Sequence, residues 1–410
     1  MKKICCMLFV LLLAFGSMCL TGCNKTDTIT LNVYNWGEYI SDGSEETLDV
    51  NAAFEAYYYE EFGVHVKVNY TNYASNEDMY NKLSSGATSY DVVIPSDYMI
   101  ERMISENMLR KLNFDNIPNF EYIDENYRNL FYDPENAYSV PYTYGMVGII
   151  YNTEMIEEAP TSWDCMWNEE YSGQILQFNN PRDAFGTAMY ALGIDVNTTD
   201  HTEWDKAKEL LSTQKPLIQS YVMDEIFNKM KNGSAAIAPY YAGDFLSMYE
   251  DNDALAFVYP EEGTNVFVDA MCVPINSRNP EIAEAYINFM LSEEVAIANA
   301  EYIYYASPNK LVYENEDYIE TMSEVHEDVM EILYPQQSSV PSSFYESLDV
   351  ETMAYQNSLW ESLKIESSVE TWVYVVSGLI VAVVVGLLVY KAVQRKYRDK
   401  YYYSAAVNKK

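Results

Sequence analysis

Two periodicities alternate along the chain. Apolar residues at every second position, or in short unbroken runs, read as strands, and apolar residues three and four apart read as helices. "TITLNVYNW" (28–36) alternates and then enters a turn. "SEETLDVNAAFEAYYYEEFG" (44–63) has helical spacing, with Ser44 as its predicted N-cap and Gly63 as its stop. "VHVKVNY" (64–70) reads as a strand, "SNEDMYNKLSSG" (75–86) as a helix capped by Ser75, and "YDVVIPS" (90–96) as a buried strand. Strands and helices in that order predict parallel pairing with right-handed crossovers. A second series follows "YSVPYTYGMVGIIYN" (138–152): strand "GQILQF", helix "TEWDKAKELLS", and strands "SAAIAP" and "LAFVYP". "NPEIAEAYINFMLSEEVAIANAEYI" (279–303) then predicts two helices that divide near Ser292, the first opened by Asn279 and Pro280. The pattern predicts an α/β protein of two lobes, each a mostly parallel sheet flanked by helices.

In open α/β sheets ligands sit beyond the carboxyl ends of the strands, and between two lobes they sit in the cleft. Those strand ends carry unusual residues here. "VYNWGEYIS" (33–41) loads a turn with Trp36, Glu38 and Tyr39. Ser96, Asp97 and Tyr98 follow "DVVIP" in the same way. Further along, "NNPRDAF" supplies Asn180 and Asp183, and "PYYAGDF" supplies Tyr240, Tyr241 and Asp244. "NVFVDA" adds Phe267 and Asp269, and "IYYASPN" adds Tyr304 and Tyr305. Ring faces attract ammonium groups and carboxylates take their charge in short hydrogen bonds, so such a wall suits an organic cation. With 39 tyrosines in the chain, core packing is the plainer reading of any single ring, and the argument rests on the set.

Composition sharpens this picture. The chain has 410 residues, enough for two or three domains, and carries 62 Asp and Glu against 25 Lys and Arg. That balance excludes nucleic acid as a partner, because phosphate contacts need basic residues. The N-terminal "MKKICCMLFVLLLAFGSMCLTGC" has the basic start, apolar stretch and small residues of a secretory signal over residues 1–22. Its "LTGC" resembles the lipobox of bacterial lipoproteins, which implies lipid on Cys23. Near the other end, "TWVYVVSGLIVAVVVGLLVY" (371–390) has no charge and is long enough for a transmembrane helix. The tail 391–410 holds seven Lys and Arg against Asp399 alone, and the positive-inside rule places it in the cytoplasm. Between positions 24 and 390, 16 basic residues face 61 acidic ones, so the exported body is strongly anionic and tied to the outer face of a membrane. Its two cysteines, Cys165 and Cys272, are expected to be free and buried.

Catalytic chemistry lacks its parts. His65, His201 and His326 stand apart, "HEDVM" lacks the second histidine of a zinc-protease motif, and no phosphate loop, GxSxG elbow or CxxC pair occurs. Asp183 and Asp269 would be the pair for a glycan hydrolase. An opine, an amino acid derivative or a metal chelate would need a basic group in the cleft, for which Arg182 is the candidate.

Taken together, "LNVYNWGEYI", "NYASNEDMYNKLSSGATSYDVVIPSDYMIERM", "VPYTYGMVGIIYN", "TSWDCMWNEEYSGQI", "ALGIDVNTTD" and "VDAMCVPINSRNPEIAEAYINFML" resemble the substrate-binding component of spermidine/putrescine ABC importers. The resemblance runs from about Thr28 to Lys310. It implies a two-lobed periplasmic-binding-protein fold of the second class, without a cofactor, that closes on a polyamine and delivers it to ABC permease subunits in the membrane. The lobes are expected at 28–144 with 270–312 and at 145–269 with 313–366. Carried over by position, Trp36, Glu38, Tyr39, Ser96 and Tyr98 match one wall of the family's site. Asn180, Asp183, Tyr241, Phe267, Asp269 and Tyr305 match the rest, with Asn180 standing where some spermidine binders have Asp, and Tyr241 and Phe267 where tryptophans are common. The loss of an acid weakens the case for a three-charge ligand and leaves putrescine open. No contact after Lys310 can be assigned.

Overall fold

The computed structural model describes residues 28–335, 340–365 and 371–407. The signal segment 1–22, Cys23 and the approach to the C-terminal helix at 366–370 lie outside the described residues. One compact unit runs to Asn357 and a second begins at Ser358.

Within the first unit, ten strands follow one another: β1 (Ile29–Trp36), β2 (Val66–Tyr73), β3 (Val92–Val93), β4 (Ser139–Asn152), β5 (Ile175–Phe178), β6 (Ile218–Val222), β7 (Ile237–Tyr241), β8 (Leu255–Val258), β9 (Thr264–Cys272) and β10 (Ser342–Ser343). Their order in the sheet is β2-β1-β3-β9-β4-β7-β5-β6, with β8 beside β4 and β10 beside β9. β1 pairs in parallel with β2 over eight residues and with β3, and β5 pairs in parallel with β6 and β7. Helices lie in the crossovers between these parallel strands, as the alternating pattern predicts.

The sheet is mixed, however, where a mostly parallel one was expected. β4 and β9 run antiparallel to each other and to β3, β7 and β8, while β10 pairs with β9 in parallel. β4 is one uninterrupted strand that changes partner along its length. Ser139–Met146 pairs with β9, and Val147–Tyr151 pairs with β7. Its register against β9 shifts between Pro141 and Thr143, next to the one residue type that has no N–H to give to a ladder. Thirteen of its fourteen residues are buried, which is why "SVPYTYGMVGIIYN" reads as a continuous apolar run without alternation.

The predicted Ser44 cap is corrected. Ser44–Glu46 forms a single 3-10 turn, and the helix Val50–Phe62 starts after Asp49, whose carboxylate accepts from Ala52 N at 2.9 Å. Asp49 has the extended backbone of an N-cap, and an acid there also suits the positive helix end. Strand β6 was not anticipated, because "IQSYV" is half-buried throughout and offers no clear alternation until Val222.

Side chains of β1 divide by pleat. Leu31 and Val33 pack with Phe54, Tyr286 and Ile287 on one face, and Tyr34 packs with Met79, Met99 and Met103 on the other. Cys165 and Cys272 are both free, Cys272 buried as expected and Cys165 only partly so.

The second unit contains the helix Thr371–Val407. At 1.5 Å per residue its 37 residues span about 56 Å, and Gly378–Arg395 is long and apolar enough to cross a bilayer. Leu379, Val381 and Leu388 are each more than 60% exposed, an arrangement that water disfavours.

Phe54 has no exposed surface and meets the Tyr286 ring edge-on at 5.0 Å. Phe54→Ala is expected to lower stability by about 3–5 kcal/mol, read as a lower urea midpoint at unchanged m-value.

Candidate functional site

Ten of the eleven residues that the resemblance assigns to the site line one cleft. Each arrives there by a local device. Asn35, fully buried at the end of β1, accepts from Trp36 N at 2.9 Å and donates to Tyr39 O at 3.3 Å, so it ties the turn into a fixed loop. Trp36 is then held by its indole N–H on Ile94 O at 3.0 Å. Ser96 is the N-cap residue of the helix Asp97–Ser105 that follows β3, and Asn76 donates to both the Ser96 and Tyr98 hydroxyls at 3.1 Å. Asn180 caps the helix Pro181–Leu192, accepting from Asp183 N, and its amide donates back to the Asp183 carboxylate. Phe267 and Asp269 are two apart on β9 and share a face.

Glu38 is the exception. It takes a left-handed backbone, φ 48°, and its exposed side chain borders an outer groove beside the cleft. Arg182 does not face the cleft either. Its guanidinium donates to Val196 O, Asn197 Oδ1 and Glu346 O and covers the Tyr345 ring at 4.5 Å. The basic group that an anionic ligand would require is therefore committed elsewhere.

The lining holds five aspartates, Asp97, Asp183, Asp224, Asp244 and Asp269, and neither Lys nor Arg. Burial pushes the Asp269 carboxyl up to about 6, against the opposing pull of the Ser96 and Tyr39 hydroxyls. Its Oδ2 accepts from Tyr39 at 2.6 Å, while its buried Oδ1 has no hydrogen-bond partner among the described residues. Asp183 is likewise raised by burial to about 6, opposed by the Tyr241 hydroxyl at 2.7 Å. Asp244 is raised to about 8 by burial, opposed by a hydrogen bond from Tyr305 and reinforced by repulsion from Asp224 and Glu38. Asp97 is also raised well above the carboxylate range by burial. The neighbouring Arg182 lowers Asp183 and Asp97 only in part, so burial prevails and the lining remains a set of desolvated acceptors, which suits a cation.

Several lining residues escaped the sequence reading, among them Asp224 and Tyr345. Asp224 follows β6, so the strand-end rule would have found it had β6 been recognised. Tyr345 reaches the cleft from beyond Lys310, where no local pattern announces it.

Residues 87–331 match the model of the bacterial extracellular solute-binding proteins. The chain belongs to that family. Within it, the chain is 34% identical over 302 residues to the spermidine/putrescine-binding periplasmic protein of Salmonella typhimurium, covering 73% of this chain and 83% of the relative. It is 28% identical over 301 residues to a putrescine-binding periplasmic protein of Escherichia coli, covering 68% and 78%. Among solved structures, an ABC transporter protein from Listeria monocytogenes superposes with a TM-score of 0.74 at 32% identity, over 83% of this chain and all of that one. The spermidine/putrescine ABC transporter substrate-binding protein of Streptococcus pneumoniae gives 0.65 at 32%, over 82% and 99%. The two-domain solute-binding fold of mixed sheets and flanking helices is thus a family property.

Carboxyls whose folded pKa is raised above the unfolded value stabilise the fold at low pH and lose that contribution as pH rises through the folded value. For Asp183 and Asp269 the window runs from 3.8 to about 6, and for Asp244 from 3.8 to about 8. The unliganded protein is therefore expected to lose thermal stability between pH 5 and pH 8, and Asp269→Asn to flatten the fall. An equally steep fall in the variant would exclude Asp269 as a source.

Proposed function

We propose that this protein binds a polyamine in the cleft and delivers it to the permease of an ABC importer, without catalysing a reaction. One observation carries the reading: five aspartates and a wall of aromatic rings face one cleft whose lining contains no basic side chain. The relatives named above bind spermidine and putrescine, which accords with that chemistry. Ammonium groups would meet the carboxylates, and the methylenes between them would lie against Trp36, Tyr39, Tyr241, Phe267 and Tyr305. Each cation–π contact contributes about 0.5–2 kcal/mol, so several are needed for micromolar binding.

The expected lobe division, 28–144 with 270–312 against 145–269 with 313–366, is supported by the change of partner along β4 between Met146 and Val147. A hinge there and along β9 would let the two halves close on the ligand.

Calorimetric titration with putrescine and spermidine is expected to show one-to-one binding for at least one of them. Silence with both would overturn the proposal. Asp269→Asn is expected to cost about 2–5 kcal/mol of binding, because the acid meets a desolvated amine. Because a bound cation favours ionised carboxylates, affinity is expected to fall as pH drops through about 6, the value to which burial raises Asp183 and Asp269.

We also read Cys23 as a lipid anchor and Thr371–Tyr390 as a transmembrane span, with residues 24–370 on the outer face of the membrane. A binder tethered in this way stays at high effective concentration near its permease. Under this reading Cys23→Ala leaves the protein in the membrane fraction and a stop codon at 366 alone leaves it there too, whereas the two together release it. Release by either change alone would show that the remaining segment is not an anchor and would overturn the double tether.

A further inference from the structure

A second, smaller cavity lies beside the cleft, and three distant parts of the chain meet there. Glu77 stands in the first turn of the helix Asn76–Ser84, Arg182 in the first turn of the helix Pro181–Leu192, and Gln356 on the helix Val350–Ile365. All three residues line one cavity of about 20 Å³. Glu77 Oε2, Arg182 Nε and Gln356 Nε2 are buried and have no hydrogen-bond partner among the described residues. Their neighbouring atoms are committed. Glu77 Oε1 accepts from the Tyr98 hydroxyl at 3.1 Å, and the terminal nitrogens of Arg182 donate to Val196 O, Asn197 Oδ1 and Glu346 O. Tyr98 borders both the cavity and the cleft, and the Tyr345 ring, 6.4 Å from it, lines the cleft and carries the Arg182 guanidinium at 4.5 Å.

Burial pushes the Glu77 carboxyl up, against the pull of its own backbone N–H, the Tyr98 hydroxyl and the Arg182 charge, so the guanidinium is within electrostatic reach although no direct ion pair forms. The three free atoms are two donors and one acceptor. A cation would face the two donors, and an anion would face the carboxylate. Water fits both, because it can accept twice and donate into a carboxylate. A buried water typically makes about three hydrogen bonds and needs about 10–15 Å³, which this cavity supplies.

We propose that one buried water molecule occupies this cavity, accepting from Arg182 Nε and Gln356 Nε2 and donating to Glu77 Oε2, and that it latches the two lobes together outside the ligand cleft. The water site rests on the three atoms alone. The latch rests on the lobe division and the polyamine reading given above, which put Glu77 in one lobe and Arg182 and Gln356 in the other. Opening the cleft would part Glu77 from both donors and return the water to bulk. The latch therefore favours the closed form whichever amine is bound, and contributes to affinity without contributing to the choice between amines.

The test uses the full chain in detergent. A crystal structure from bromide-containing solution is expected to show one peak of water density within about 3 Å of all three atoms. An anomalous bromide peak there, or no peak, would overturn the water site. Gln356→Leu gives a second readout whose sign decides. Where Nε2 holds a water, its loss lowers the melting temperature; were Nε2 unpaired, its loss would remove a desolvation cost and raise it. A rise would overturn the water site. In calorimetry with putrescine and spermidine, the same variant is expected to weaken both by one common factor, about threefold. Unchanged affinity, or a loss confined to one amine, would overturn the latch. Failure of the unaltered protein to bind either amine would instead overturn the proposed function, and the bromide map would still decide the water site.

Discussion

Buried carboxylates in a cleft whose lining has no basic side chain govern this structure. Taking a carboxylate out of water costs several kcal/mol unless a cation or hydrogen-bond donors replace the lost hydration. The cleft gathers five aspartates and supplies hydroxyls and amides, but no basic side chain, to hold them. The hydroxyls are enough to orient the acids and too few to neutralise them. The fold thus carries a local instability that an incoming cation relieves, and affinity grows from that stored desolvation as much as from new contacts.

The rest of the architecture keeps those acids in place. Asp183 sits in the first turn of a helix whose cap, Asn180, donates back to it. Asp269 sits mid-strand on β9, beside the long and buried β4. Elements from different parts of the chain therefore present the acceptors. β4 pairs with β9 along its first part and with β7 along its second, and so joins the two groups of parallel strands.

The surface charge extends the same logic outward. With a formal net charge of -37, the chain draws cations toward itself from a distance set by ionic strength. Glu38, exposed beside the outer groove, adds to that negative charge at the rim of the cleft.

By itself the sequence determined much of this protein. Period-two and helical spacing decided most strands and helices, because burial on one face is a local property of consecutive residues. Strand-end aromatics and acids marked the loops of the site, since the end of a strand is where a sheet leaves side chains free for a ligand. Tertiary structure alone decided the remainder. Nothing local says that β4 and β9 run antiparallel and pass through both halves, because an apolar run is the same whichever neighbour it meets. Nor does spacing reveal that Arg182 is turned away toward Tyr345, that Glu38 points out, or that Tyr345 and Asp224 point in. The tyrosine hydroxyls on Asp183, Asp244 and Asp269 join residues 58, 61 and 230 positions apart, and such contacts exist only once the sheet has brought the strand ends together.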